Sequence, residues 1–292
     1  MRTTDILLIS IVVLATAIIL TMEYGVYELP PGTHEINACG EYILNGNDYD
    51  VFTLIFTKDL TCTPYIDIHP KSTTNIHLHL DANMHTIENI HPRESYLLLE
   101  LKNGTFIENC GFEEDCGHAL ELDITDANVI NTWHSASGFV TIKRSHVTGE
   151  MTFLGCDQIT IEDSNMGATL YMSSHNPITI KNSNFTQSYI SFRETYTEPY
   201  IENTTFKKSL IELVDTYKLH LRGDIYLIDS NVSHPSGNPV QCYIETEDTR
   251  IYYTPDSVVN ALLESPSCGP YMVEINAPPP EKIPTAINLE IH

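Results

Sequence analysis

The sequence predicts an all-β fold, a single-stranded right-handed parallel β-helix of about 21 residues per coil. Three observations point there. First, lines repeat: Val140-Thr141-Ile142-Lys143-Arg144-Ser145-His146-Val147 returns as Ile159-Thr160-Ile161-Glu162-Asp163-Ser164-Asn165-Met166. It returns again as Ile178-Thr179-Ile180-Lys181-Asn182-Ser183-Asn184-Phe185, and in shortened form at Tyr200–Phe206. Second, the last apolar residue before each polar turn recurs at Leu80, Leu101, Ile124, Ile142, Ile161, Ile180, Ile201 and Leu227, a mean step of 21 residues. Third, apolar and polar residues alternate with period two inside each coil, the signature of strand rather than helix. Leucine-rich repeats share the length but need a Leu-x-x-Leu-x-Leu-x-x-Asn line that is absent here. In the remaining solution each coil covers the apolar face its neighbour exposes.

The chain divides into residues 1–23, 24–255 and 256–292. Ile6 to Met22 carries no charge, with Arg2 before it and Glu23 after it. It is long enough for one membrane span, and the flanking charges place the rest of the chain outside the cytoplasm. The expectation is a single-pass cell-membrane protein, touching the bilayer through residues 6–22, with its β-helix outside. Ala15-Thr16-Ala17 offers the alternative of a cleaved signal and secretion. Export into an oxidising compartment makes the seven Cys disulfide candidates. The sequence-local pairs are Cys39 with Cys62, Cys110 with Cys116 and Cys242 with Cys268, leaving Cys156 over; other pairings remain open. Sequons stand at Asn103, Asn184, Asn203 and Asn231.

Short strands separated by turns fit residues 24–44, and Asn45 to Asp50 is a turn. Its oxygen-rich side chains suggest a calcium loop, but the later Glu spacing of an EF-hand is missing. No cofactor is therefore expected, with Ca2+ the one ion to consider. Strands follow at Val51 to Phe56 and Tyr65 to Ile68, and the coils become regular from Asn75. Five residues after each repeated aliphatic come Phe106, Val129, Val147, Met166, Phe185, Phe206 and Val232, a second inward column. One residue after it, Lys143, Glu162, Lys181 and Glu202 alternate in sign on the outside. Opposite charges on strands ~4.8 Å apart favour that register. Ser145, Ser164, Ser183 and Thr204, with Asn165, Asn184 and Asn231 beside such positions, suit tight bends and axial ladders. An Asn184 enclosed in a ladder could not carry a glycan, which leaves Asn103 and Asn203 as the preferred acceptors. Arg144 is expected to meet Asp163 one coil on. After Val232 the period frays. Gln241 to Tyr253 offers last strands, Val258 to Leu263 a short helix, and the tail a cap for the open sheet edge.

Fifteen Lys plus Arg against 39 Asp plus Glu give a formal charge of −24. Such a surface repels phosphate backbones, so no nucleic-acid partner is expected. Walker, dinucleotide-binding, haem and serine-elbow patterns are absent from the sequence.

Three stretches carry a resemblance: Leu29-Pro30-Pro31-Gly32-Thr33, the line Leu78-His79-Leu80-Asp81-Ala82-Asn83-Met84-His85-Thr86-Ile87, and the Ile-x-Ile-x-x-Ser-x-apolar coils. From about residue 28 to 255 the chain resembles the pectin-lyase-like right-handed parallel β-helix proteins. Within that group it resembles the exported surface proteins with NosD-like or carbohydrate-binding and sugar-hydrolysis repeats more closely than the others. That resemblance implies lyases, hydrolases, binding modules or structural proteins. The Asn-Thr-Asp, Gly-His-Gly and Arg-Ile-Lys lines of its hydrolases are missing. Two groups of residues remain as candidates. His79, Glu100 and Asp123, with His77 and Glu121, form an outward face suited to a metal or a glycan. Tyr189, Phe192, Tyr196 and Tyr200 form an aromatic contact loop. The leading expectation is a membrane-anchored, non-catalytic surface protein with a structural, adhesive or glycan-binding role, whose partners are glycans or other surface proteins. A polysaccharide lyase or glycoside hydrolase with a divergent site is the alternative, and a component of a larger surface or virion assembly the third.

Overall fold

A computed structural model describes residues 24–72, 75–93, 95–108, 117–193, 195, 197–214, 219–233 and 244–254. They form an all-β parallel solenoid of right-handed type, about nine turns long, without a helix. Its strands begin with β1 (Tyr24–Leu29), β2 (Gly32–Ile36), β3 (Cys39–Leu44), β4 (Val51–Phe56) and β5 (Leu60–Pro70). The early coils continue through β6 (His77–Asp81), β7 (Thr86–Pro92), β8 (Ser95–Glu108) and β9 (Gly117–Ala136). The regular coils hold β10 (Phe139–Lys143), β11 (His146–Cys156), β12 (Gln158–Glu162), β13 (Asn165–Ser174), β14 (Ile178–Lys181), β15 (Asn184–Thr186) and β16 (Tyr189–Arg193). The last are β17 (Tyr200–Glu202), β18 (Thr205–Lys207), β19 (Leu210–Val214), β20 (Leu219–Ile228), β21 (Asn231–Ser233) and β22 (Ile244–Tyr253). Residues 6–22, Cys110, Cys116, Cys242, Cys268, Tyr196 and the expected 258–263 helix lie outside the described residues. No helix among the described residues is long and apolar enough to cross a membrane.

Three parallel faces wrap one core. On the first, Leu54, Leu80, Leu101, Ile124, Ile142, Ile161, Ile180, Ile201 and Leu221 stack in register. On the second, Phe106, Val129, Val147, Met166, Phe185, Phe206 and Leu227 do the same. On the third, Ala136, Phe153, Met172, Phe192 and Leu213 form one inward column. All of these side chains are buried, and each one larger than Ala136 contributes roughly 1.5–3 kcal/mol gross. Phe185 and Phe206 stack with ring centroids 5.1 Å apart.

One register assignment from the sequence is corrected. Leu227 does not follow Ile201; Leu221 does, and Leu227 stacks on Phe206. Val232 belongs to the third face, against Ile211. The reason lies in the bends. Two residues after the first-face aliphatics from Leu101 onward, Asn103, Asp126, Arg144, Asp163, Asn182, Asn203 and Gly223 take positive φ of 46–68°, a left-handed conformation that Asn, Asp and Gly adopt at least cost. The second bend repeats the device at Asn131, Gln187, Lys208 and Asp229, φ 49–57°. A buried serine follows both kinds of bend. Ser145 N–H donates to Ser164 Oγ and Ser164 N–H to Ser183 Oγ, each at 3.2 Å. At the second bend Ser188 N–H donates to Ser209 Oγ at 3.2 Å and Ser209 N–H to Ser230 Oγ at 3.0 Å. Leu227-Ile228-Asp229-Ser230-Asn231-Val232 therefore looks like Ile161-Glu162-Asp163-Ser164-Asn165-Met166 in sequence while turning a different corner.

At the N-terminal end Cys39 and Cys62 form a disulfide, the first of the expected pairs. Cys156 is free and buried, its Sγ 3.3 Å from the Ala136 carbonyl oxygen.

Candidate functional site

The outer side of the first face carries most of the residues that the sequence singled out. His79, Glu100 and Asp123 are neighbours on successive strands. They do not converge on an open centre. His79 Nδ1 pairs with Glu100 Oε2, and Lys102 Nζ reaches the same oxygen at 3.4 Å. Asp123 accepts from the Thr125 hydroxyl at 2.5 Å. His77 and Glu121 are set two strands apart, with Leu98 between them. No group of three metal-ligating side chains occurs among the described residues. Further along, Lys143 pairs with Glu162 and Lys181 with Glu202, both at 3.4 Å, so the alternating charges meet across coils. Arg144 pairs backward rather than forward: its guanidinium holds both oxygens of Asp126 at 2.7 Å. Asp126 is one coil earlier in the same left-handed bend column. The pair holds the Asp126 carboxyl below its ordinary pKa.

Of the aromatic group, the described members Tyr189, Phe192 and Tyr200 lie on two different faces. Phe192 is core, fully buried on the third face. Tyr189 lies on the outside of that face, its hydroxyl donating to Glu212 and its ring edge-on to Tyr171 at 5.6 Å. Tyr200 sits on the first face under Lys181 Nζ, 5.4 Å from the ring centre. Three of the four sequon amides are engaged in hydrogen bonds. Asn103 Nδ2 donates to Asp81, and Asn203 Nδ2 to Asn182 Oδ1 at 3.5 Å. Asn184 is not enclosed in the core, since it sits half-buried on the outer side of β15 and donates to Asn165 Oδ1 at 3.1 Å. Asn231 is exposed at the start of β21. In the Asn45–Asp50 turn, Asp50 and Asp48 accept from the Asn47 and Asn75 N–H groups. Turn and coil closure thus account for those carboxylates.

Two clusters escaped the sequence reading. On the third face, Glu41, Asp67 and His91 stack in register on successive coils. His69 Nε2 meets Glu41 at 2.9 Å, and Arg93 Nε meets Asp67 at 3.0 Å with its guanidinium over the Tyr65 ring. Burial pushes the Asp67 carboxyl above its ordinary pKa, although Arg93 opposes the shift. Inside the solenoid, Glu108 Oε1 meets His134 Nε2 at 2.9 Å with both side chains almost fully buried. Neither cluster has a sequence signal, because the members that meet across coils are 24 to 28 residues apart and come together only through the coil register. Asp67 alternates with Ile66 and Ile68 as any outward strand residue would.

The chain matches no family profile, no curated protein and no solved structure.

Proposed function

We propose that this protein is an exported, membrane-anchored rod that acts by presenting long repetitive faces to glycans or to other surface proteins. What supports the reading is the solenoid of the described residues, whose first strand starts at Tyr24, two residues after the apolar run 6–22. About nine turns at ~4.8 Å each make a rod of roughly 40–45 Å. Such a rod can carry contacts away from a bilayer without any catalytic centre. The pairing of His79 with Glu100 and Lys102 fits a role in holding the first face together. Location is tested on intact cells producing the full chain. The expected result is that external protease removes the solenoid while a carbonate wash leaves the anchor in the membrane. Digestion only after lysis would reject the reading.

A second reading, a carbohydrate-active lyase or hydrolase, is favoured by one observation. Asp67, with its raised pKa, lies beside Glu41 and Arg93, and a perturbed carboxyl among partners is what acid–base catalysis needs. A polysaccharide-cleavage screen with and without Ca2+, repeated with Asp67→Asn, separates the two. Cleavage that the variant abolishes would make the protein an enzyme.

A further inference from the structure

The second face carries a long uncharged outward column, flanked in the next column by Glu88 at one end and Lys207 at the other. Its first outward column reads Thr86, Thr105, Asn128, His146, Asn165, Asn184 and Thr205, in register over seven coils. No carboxylate or ammonium interrupts it, in a chain of formal charge −24. Burial holds the His146 pKa below its ordinary value, which keeps that ring neutral as well.

At the centre of the face is a concavity of about 330 Å3. His146, Asn165 and Asn184 run along one column of its lining, and Thr148, Thr186 and Gln187 stand across from them. Gly167 lies between Thr148 and Thr186. A Cβ there would stand 3.3 Å from Thr148 Cγ2 and 3.7 Å from the Thr186 carbonyl oxygen, so the missing side chain leaves the recess open. The amides are aligned along the axis by the Asn184 to Asn165 bond. That bond leaves the Asn165 NH2 protons and the Asn184 carbonyl without a further partner among the described residues. Gln187 leads through Ser188 to Tyr189, whose ring is held in place by Glu212 and Tyr171.

We propose that this groove binds a neutral polysaccharide chain lying along the solenoid axis across β11, β13 and β15. Amide and hydroxyl groups repeating every ~4.8 Å suit a ligand that is itself a repeating array of hydroxyl donors and acceptors. A carboxylated or sulfated polymer would gain no ammonium from the residues lining the recess, the next outward one in register being Lys207 one coil beyond Thr186, and would meet the repulsion of the whole molecule. An apolar segment would strand the amides unpaired. The proposal deepens the reading of the protein as a glycan-contacting rod by naming the face and the ligand class.

The test uses the full chain purified in detergent on an array of cello-, xylo-, manno- and chito-oligosaccharides, with oligogalacturonate printed beside them. Binding to at least one neutral series and not to oligogalacturonate is expected. Asn165→Asp, which adds a charge with little change of shape, and Gly167→Phe, which fills the recess, should each weaken it at least about tenfold. Thr160→Asp on the first face should leave it unchanged. If Gly167→Phe fails to fold by circular dichroism, Asn165→Asp still decides. No neutral binding, equal binding of oligogalacturonate, or binding untouched by Asn165→Asp would overturn the proposal. The readout is independent of cellular location, so a solenoid found inside the cell would sink the surface reading alone.

Discussion

Glu108 and His134 show what one buried pair demands. Glu108 Oε2 and His134 Nδ1 lie buried without a hydrogen-bond partner, as does Thr132 Oγ1 on the same third-face strand as His134. Removing one member exposes its partner to the full cost of burial, about 3–5 kcal/mol for a broken buried pair. Glu108→Ala or His134→Ala should therefore lower the urea midpoint sharply, whereas Glu108→Leu combined with His134→Leu should recover most of the loss. A double variant no better than the singles would contradict the pairing. His146 makes a second prediction. Its pKa is depressed in the fold by burial, so the unfolded chain takes up a proton more readily, near its ordinary value of about 6.5. The contribution is intact above that value and is lost as the pH falls below it. Thermal melts of His146→Gln should decline less between about pH 7 and pH 5 than those of the native chain. Cys156 should be inert: burial pushes its thiol up to about 12, so thiolate is scarce at neutral pH. Iodoacetamide labelling followed by peptide mass spectrometry should find it modified only under unfolding conditions.

The bends are the elements that convert a repeated strand into a coil. Asn182 has φ 48°, where an ordinary L-residue costs roughly 1–2 kcal/mol and a β-branched one more. Asn182→Gly should leave stability nearly unchanged, while Asn182→Val should destabilise by at least that amount in chemical unfolding. Equal effects would mean that the bend conformation is not what holds this position. The inward aliphatic columns were legible in the sequence because strand alternation has a period of two and stacking demands like beside like. The corner assignment at Leu227 was not. Both bends use a left-handed residue followed by a buried serine, as at Asp163-Ser164 and Asp229-Ser230. Local chemistry alone does not say which corner is being turned.

At the scale of the molecule, the outermost described coils have a described neighbour on one side only, and the first of them is fastened covalently. The Cys39–Cys62 disulfide spans 23 residues at the N-terminal end, a loop length that corresponds to about 3 kcal/mol of chain-entropy restriction. Reduction should speed amide hydrogen exchange in β1 to β5 first and leave β10 to β16 protected. Uniform loss of protection would show that the solenoid unfolds as one unit. Sequence alone determined the fold class, the first two inward columns up to Phe206 and the Lys143–Glu162 and Lys181–Glu202 ladder, and it offered the Cys39–Cys62 pair that the structure selected. Each is set by residues that repeat at a fixed interval, or, for Cys39 and Cys62, lie one coil apart. Tertiary structure decided which polar side chains share a site. His79 spends its charge partner on the next coil, Phe192 turns inward, and Asp67 finds Arg93 across a coil of 26 residues. The neutral groove on the second face exists only where Thr148, Gly167 and Thr186 come together. Coil lengths vary, so residues at unequal spacings become neighbours, and only the closed register says which ones.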